Sequence, residues 1–258
     1  ALHLFEDLEF WECFFSHLGI KTITSRHLKQ PVALGKTIAK AEFCAPVTAL
    51  HGHVAHLLKK ADYVFLPFYF EEKTDQKRVR RQHCYYTQFS PAIIACLDHC
   101  DARRLVMPTI KYLYTSFHTK IALYQSLKQI SPDFLFSFLD IHAAWDKAVE
   151  FRKENQTKLS GLYNSRGQSR PGIKALLLGR PYTVLSDTMN HGIPRIFENL
   201  GVETYFQDMV DTSDIDFTPI RPLLKEIHWK YAAHILKAAY AAALTDDLYP
   251  VYITSFKC

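Results

Sequence analysis

The amino-acid sequence predicts an α/β protein of two parallel-sheet lobes, each with helices on its faces, joined by a helical connection. Three observations carry this reading. Strand, helix, strand alternation recurs on both sides of GLYNSRGQSRPG, a linker-like stretch rich in Gly and polar residues. The strand candidates ADYVFLPF and KALLLG are short and almost wholly apolar, as strands buried on both faces are. Residues 117–160 are helical at both ends and carry little strand signal. The expected boundaries are a first lobe over 1–115, a helical connection and linker over 116–168, and a second lobe over 169–258.

Taken in order, ALHLFEDLEFWECFFSHLG repeats apolar residues at helical spacing and stops at Gly19, a residue suited to the position just past a helix. KTITS reads as a strand, and a polar loop follows. Pro46 to Lys60 reads as an amphipathic helix, and ADYVFLPF as a buried strand. Glu71 to Gln82 is a charged loop. SPAIIACLDH is a helix with Ser90 as its cap and Pro91 at its first position, and RRLVMPTI is a strand. Beyond the linker, KALLLG is a strand ending at Gly179, NHGIPRIFENLG a helix ending at Gly201, and VETYFQ a strand. IHWKYAAHILKAAYAAAL is a long Ala-rich helix, and LYPVYITSF a last strand running into Cys258.

At 258 residues and 48% apolar content the chain can bury a substantial core. It shows neither an apolar run long enough for a membrane span nor a signal peptide, so a cytoplasmic protein without a membrane partner is expected. The charge of +5 is modest. Its one dense basic run, KRVRR at Lys77 to Arg81, reads as a solvated loop rather than a nucleic-acid surface. Six cysteines in such a chain point to buried thiols, metal ligands or catalysis rather than to disulfides.

In open parallel sheets the binding crevice lies beyond the carboxyl ends of the strands. Cys44 stands just before a helix, Cys84 follows VFLPF across the basic loop, and Cys258 ends YITSF. The helix dipole stabilises a thiolate at a helix N-terminus, which favours both metal ligation and nucleophilic attack. Three thiolates from separate loops suit an iron-sulfur cluster, although there is no CxxC and no ferredoxin-like run. A hydrolase pairing Cys44 or Cys84 with a histidine is the competing chemistry, and plain burial the simplest reading.

Cys13, on an aromatic-rich helix, reads as core. Cys96 and Cys100 fall on one helix face, where packing is the plainer reading than a metal. His51 and His53 point about 200° apart on a helix, so only His53 and His56 share a face, and a supporting role suits them better than zinc. Gly179 to Asn190, GRPYTVLSDTMN, has the position of a ligand loop. No GxGxxG, Walker, GxSxG or HExxH pattern occurs, so neither nucleotide binding nor these hydrolytic chemistries are expected.

The strings FCAPVTALHGHVAHLLKKADYVFLP, CYYTQFSPAIIA, LLLGRPYTVLSDTMNHGIPRIFENLGVETYFQDM, LLKEIHWKYAAHILKAA and LYPVYITSFKC carry a resemblance over nearly the whole chain. They resemble the proteins related to 2-hydroxyacyl-CoA dehydratases and their activases. More narrowly, they resemble the segment that follows the tandem activase ATPase domains of the large multidomain members. The resemblance implies Rossmann-like lobes and a four-iron four-sulfur cluster held by Cys44, Cys84 and Cys258. It implies electron delivery by activase-type ATPase domains, with an acyl-CoA or other small molecule as substrate. Around the open coordination position it implies contacts from Gly179, Arg180, Tyr182, Asn190 and His51. The ATPase phosphate motifs are missing, so ATP hydrolysis is expected in domains outside this chain, which reads as a fragment of a larger protein. A docking module for those ATPase domains, without an active cluster, is the alternative.

Overall fold

The computed structural model describes residues 1–73, 80–98, 100–110, 116–130, 135–167 and 172–254. The chain divides into two units, Ala1–Phe151 and Arg152–Cys258. The division falls inside a long helix, so residues 116–151 of the expected helical connection pack with the first unit.

The first unit opens with helices α1 (His3–Glu6) and α2 (Leu8–His17). KTITS forms no strand: Lys21, Thr22 and Ile23 are exposed, and β-prone side chains without a neighbouring strand have no ladder to join. The polar loop after it contains a helix the sequence reading missed, α3 (Pro31–Ile38), which starts on a proline at its first turn. This helix packs closely on α4 (Ala45–Leu57) through two glycines. A Cβ on Gly35 would lie 1.8 Å from the Thr48 carbonyl oxygen, and one on Gly52 would lie 2.1 Å from the Pro31 carbonyl oxygen. The backbones meet where only hydrogen atoms fit.

ADYVFLPF is broken into β1 (Val64–Phe65) and β2 (Phe68–Tyr69). The expected loop holds β3 (Glu71–Lys73) and β4 (Arg80–Gln82), which pair antiparallel, so Arg80 and Arg81 of the basic run lie on a strand. Lys77 to Val79 lie outside the described residues. Helix α5 (Tyr85–Ala95) begins well before Ser90, the expected cap. Ser90 is inside the helix and its hydroxyl donates back to the Tyr86 carbonyl, the usual fate of a serine in a helix interior. Pro91 is likewise interior.

RRLVMPTI supplies β5 (Leu105–Val106) and β6 (Thr109–Ile110), parallel to β1 and β2 respectively. Both apolar runs are interrupted at a proline, Pro67 or Pro108, which has no N–H to give a ladder. Leu66 N donates to Val106 O at 2.8 Å and Phe68 N to Pro108 O at 2.9 Å, carrying the ribbon across the break.

Helix α6 (Ser116–Ile130) and the part of α7 (Phe138–Gly167) up to Phe151 complete the unit. Ser137 and Asp140 form a reciprocal cap at the start of α7: Ser137 N donates to Asp140 Oδ2 at 2.7 Å, and Asp140 N to Ser137 Oγ at 3.2 Å. Buried Lys120 reaches Asp146 at 2.7 Å and ties α6 to α7. The core is aromatic, with the Trp11 ring 5.0 Å from Phe10, 5.6 Å from Phe14, 4.6 Å from Phe65 and 6.1 Å from Trp145. Leu123, Leu127, Ile141 and Ala148 seal it, each large side chain contributing about 2 kcal/mol by leaving water.

The expected linker is helical as far as Gly167, and residues 168–171 lie outside the described residues. The second unit then builds β7 (Lys174–Leu178), the short helices α8 (Pro181–Val184) and α9 (Asp187–Asn190), and α10 (Ile193–Asn199). β8 (Glu203–Phe206), α11 (Arg221–Glu226), α12 (Lys230–Ala243) and β9 (Leu248–Tyr252) follow. The strands make one parallel sheet in the order β8-β7-β9. β7 shows why KALLLG is apolar throughout. Leu176 and Leu178 face Tyr205, Ala238 and Ala242 on the α12 side, while Ala175 and Leu177 face Val184, Ile193 and Phe197 on the other.

The fold is therefore mixed α/β, and among the described residues its strands pair parallel except for β3 with β4. Its only sheet of three strands among the described residues is in the second unit. Among those residues no helix is long and apolar enough to cross a membrane.

Candidate functional site

Cys44 and Cys84 occupy the same structural position. Each is the residue immediately before the first turn of a helix, Cys44 with φ −62° and ψ 152° before α4, Cys84 with φ −51° and ψ 140° before α5. In both, extended backbone turns into helix, and the cysteine carbonyl takes the first helical bonds. Thr48 N donates to Cys44 O at 3.0 Å, and Thr87 N to Cys84 O at 2.8 Å. Neither side chain makes the capping hydrogen bond that a serine or aspartate would make there. Each cysteine thus stands at the entry to a first helical turn that its side chain does not cap.

Helices α4 and α5 pack against each other, and their starts are joined by aromatic rings. Phe43, just before Cys44, meets Tyr86 of α5 edge-on with centroids 5.8 Å apart. Phe43 also stacks on His51 at 5.3 Å. His51 is buried, and its Nδ1 lies 2.9 Å from Val47 O, so the ring donates there and is fixed in orientation. His51 thereby stands behind Phe43 and supports the Cys44 turn. Burial holds His53, two residues on, neutral, with its pKa pushed down to about 3.

A buried polar group that the sequence reading did not find lies beside Cys84. His83 and His3 are almost fully buried, with ring centroids 4.1 Å apart. His3 Nε2 is 3.5 Å from Asp7 Oδ2, its Nδ1 is 3.5 Å from Glu6 Oε2, and its ring lies 4.2 Å from Tyr69. Tyr69 accepts a 2.6 Å hydrogen bond from Trp11 Nε1. The turn leading to Cys84 is pinned as well: His83 N donates to Phe70 O at 2.9 Å, and Gln88 Nε2 donates to His83 O at 2.8 Å. The adjoining His83-Cys84 pair was the available signal in the sequence, but His3 and Asp7 come from the far N-terminus.

In the second unit, Gly179, Arg180 and Tyr182 stand at the carboxyl end of the central strand β7. Gly179 has φ +155°, and a Cβ there would lie 2.5 Å from both Ile253 O and Val184 Cγ2. Close approach of the β7 and β9 ends makes glycine necessary. Gly179 N donates to Gln207 Oε1 at 3.0 Å, linking the ends of β7 and β8. Asn190 is buried, and its amide is engaged inside the loop: Nδ2 donates to Val184 O and Oδ1 accepts from Gly192 N, both at 2.8 Å.

Cys258 lies outside the described residues. Among the described residues no three Cys, His, Asp or Glu side chains gather as a metal-binding group. Cys13, Cys44, Cys84, Cys96 and Cys100 are all outside disulfides. Cys13 packs beside the first core, as expected. Cys96 and Cys100 share no helix face, because α5 ends at Ala95, and Cys96 is exposed.

A family model described as the CoA enzyme activase uncharacterised domain (DUF2229) matches residues 1–210. The match takes in Cys44, Cys84 and the loop from Gly179 to Asn190. No curated protein and no solved structure matches the chain.

Proposed function

The chain belongs to the family of the CoA enzyme activase uncharacterised domain, and from that premise we propose that it is the electron-accepting iron-sulfur module of an ATP-dependent system. The system resembles the 2-hydroxyacyl-CoA dehydratases with their activases. The observation that supports this reading is the pair of cysteines, Cys44 and Cys84, with matching backbone at the starts of two packed helices.

Thiolates are the donors that iron-sulfur clusters take, and these two sulfurs are not used to cap their helices. Cys258 is the third ligand in this reading. A four-iron four-sulfur cluster bound there supplies one-electron transfer at low potential. The chain's own residues hold and shield it. Phe43, stacked on His51, keeps water from the back of the Cys44 turn, and Gln88 holds the His83 carbonyl so that the Cys84 turn keeps its shape. Activase-type ATPase domains hydrolyse ATP and pass the electron, and an acyl-CoA or similar small molecule receives it.

One observation favours a second reading, a docking module without a cluster. Tyr85 and Phe89, on the first turns of α5, are 58% and 51% exposed, as residues that meet a partner are.

Anaerobic reconstitution of the chain with iron and sulfide separates the two, read by visible absorbance, iron content and electron paramagnetic resonance after reduction. The cluster reading expects charge-transfer absorbance that is lost or much reduced in Cys44→Ala, Cys84→Ala and Cys258→Ala. Full iron content in any of these variants removes that cysteine from the ligand set. A wild-type chain that takes up no iron, yet binds the ATPase domains, supports docking.

A further inference from the structure

The first turn of α5, just past Cys84, holds a buried hydroxyl that the turn itself does not use. Thr87 is 4% exposed, and its Oγ1 has no hydrogen-bond partner among the described residues. Buried polar atoms are nearly always satisfied, so this one calls for an acceptor. Other hydroxyls in the helices of this chain are spent on the backbone. Thr37 donates to Leu34 O at 2.7 Å, Thr157 to Lys153 O at 3.1 Å, and Ser90 to Tyr86 O. Thr87 makes no such bond. The carbonyl four residues back, His83 O, accepts from Gln88 Nε2 at 2.8 Å. The carbonyl three back, Cys84 O, accepts the N–H groups of Thr87 and Gln88 at 2.8 and 3.1 Å.

Position directs this hydroxyl. Thr87 is the third residue of α5, and Cys84 is the residue before its first turn. In a capped helix the side chain of the starting residue bonds the N–H of the third, so the two side chains are neighbours, and helical side chains lean toward the amino end. A hydroxyl donor at this place needs an acceptor, and with the two carbonyls taken the Cys84 sulfur is the one left, since it makes no capping bond of its own. Threonine in a helix divides between two rotamers, so its hydroxyl can turn without moving the backbone. The matching start of α4 differs. There Thr48 Oγ1 donates to Cys44 O at 3.2 Å and lies 3.4 Å from Phe43 O, so its proton is already placed.

We propose that the Thr87 hydroxyl turns to donate a hydrogen bond to the Cys84 sulfur once that sulfur carries charge, as a free thiolate or as a cluster ligand. A charged sulfur is the stronger acceptor, which gives the hydroxyl its reason to turn. The inference rests on the reading of Cys84 as a ligand and adds the residue that tunes it. A hydrogen bond to a ligating sulfur stabilises the reduced, more negative form, so Thr87 raises the reduction potential. The two matching helix starts are thereby unequal, and Cys84 is the ligand through which the chain sets its readiness to accept an electron.

The test compares Thr87→Val, which exchanges the hydroxyl for a methyl group, with Thr87→Ser, which keeps it, and with Thr48→Val as the control at the other helix start. In the chain reconstituted with iron and sulfide, redox titration followed by electron paramagnetic resonance reads the potential. Thr87→Val should lower the ratio of reduced to oxidised cluster at a fixed potential by about tenfold, which is about 59 mV for one electron. Thr87→Ser should restore it, and Thr48→Val should leave it unchanged. In the metal-free chain at fixed pH, iodoacetamide should modify Cys84 about threefold more slowly in Thr87→Val, with Cys96 as the internal standard. Circular dichroism checks folding, and if Thr87→Val does not fold, Thr87→Ala is read in its place. An unchanged potential in the folded, cluster-bearing variant overturns the inference, as does an equal shift in Thr48→Val. A wild-type chain that takes up no iron removes the cluster reading instead. The alkylation rates then decide: slowing in Thr87→Val upholds the hydrogen bond to sulfur, and an unchanged rate overturns it.

Discussion

The Phe43 ring meets the Tyr86 ring edge-on at 5.8 Å, and through that contact the residue before Cys44 touches the residue two past Cys84. The contact holds two helix starts in fixed relation, so its two partners should be energetically coupled. A double-mutant cycle of Phe43→Leu and Tyr86→Leu, measured by urea denaturation, is expected to give a coupling of about 0.5 kcal/mol. The low end of the aromatic range applies because Tyr86 is 44% exposed. Strict additivity would mean that the rings merely coincide and that the two turns are positioned independently.

The close approach of α3 and α4 makes a sharper prediction. Gly35→Ala would drive a methyl group into the Thr48 carbonyl, with backbone on both sides and no flexible end to give way. A loss of about 3 kcal/mol is expected. Gly161→Ala is the control. It lies in α7 with nothing within 4 Å of its Cβ position, so replacing it should stabilise by about 0.5–1 kcal/mol. Urea midpoints should move in opposite directions, and equal shifts would remove the helix-contact explanation.

These positions also show what sequence reasoning could reach. KALLLG was legible because its side chains are buried on both faces of a sheet, which leaves a continuous apolar run whatever the surroundings. KTITS misled because β-branched residues report a preference, while a strand needs a partner that the chain does not provide there. Helix α3 was hidden because it packs through glycine and backbone rather than through an apolar stripe. Cys44 was legible at a helix start, because Pro46 announces the turn, whereas Cys84 was not: that helix was expected to begin at Ser90 and begins at Tyr85, since YYTQF carries no cap or proline to mark its first turn. The contact of His3 with His83 has no local signature, because folding alone brings residues from two distant segments together.

Stability should fall as acid is added, and His53 should account for much of the slope. Its folded pKa is pushed down to about 3, chiefly by burial, against an ordinary value of 6.5. Between those values the unfolded chain binds a proton that the folded chain does not. The stabilising contribution is therefore complete above pH 6.5 and lost as pH drops toward 3. From pH 6.5 to 4.5 the loss is about 2 kcal/mol. His53→Asn should flatten that part of the profile relative to wild type in urea titrations at each pH. Parallel profiles would show that His53 is protonated in the folded chain.

The thiols give a test of pairing that does not depend on spectroscopy. Alkylation requires the thiolate, and burial pushes the Cys13 thiol up, as it does that of Cys100, where Asp101 adds to burial and Arg104 opposes it. Cys96 is exposed. Iodoacetamide followed by peptide mass spectrometry should therefore modify Cys96 first, with Cys13 and Cys100 at least about threefold slower. After anaerobic treatment with iron and sulfide, Cys44 and Cys84 should become protected together while Cys96 stays reactive. Iron bound at an unrelated place would protect neither. Protection of Cys44 alone would mean that the matching helix starts serve different purposes, and that the shared position of the two cysteines does not reflect shared ligation.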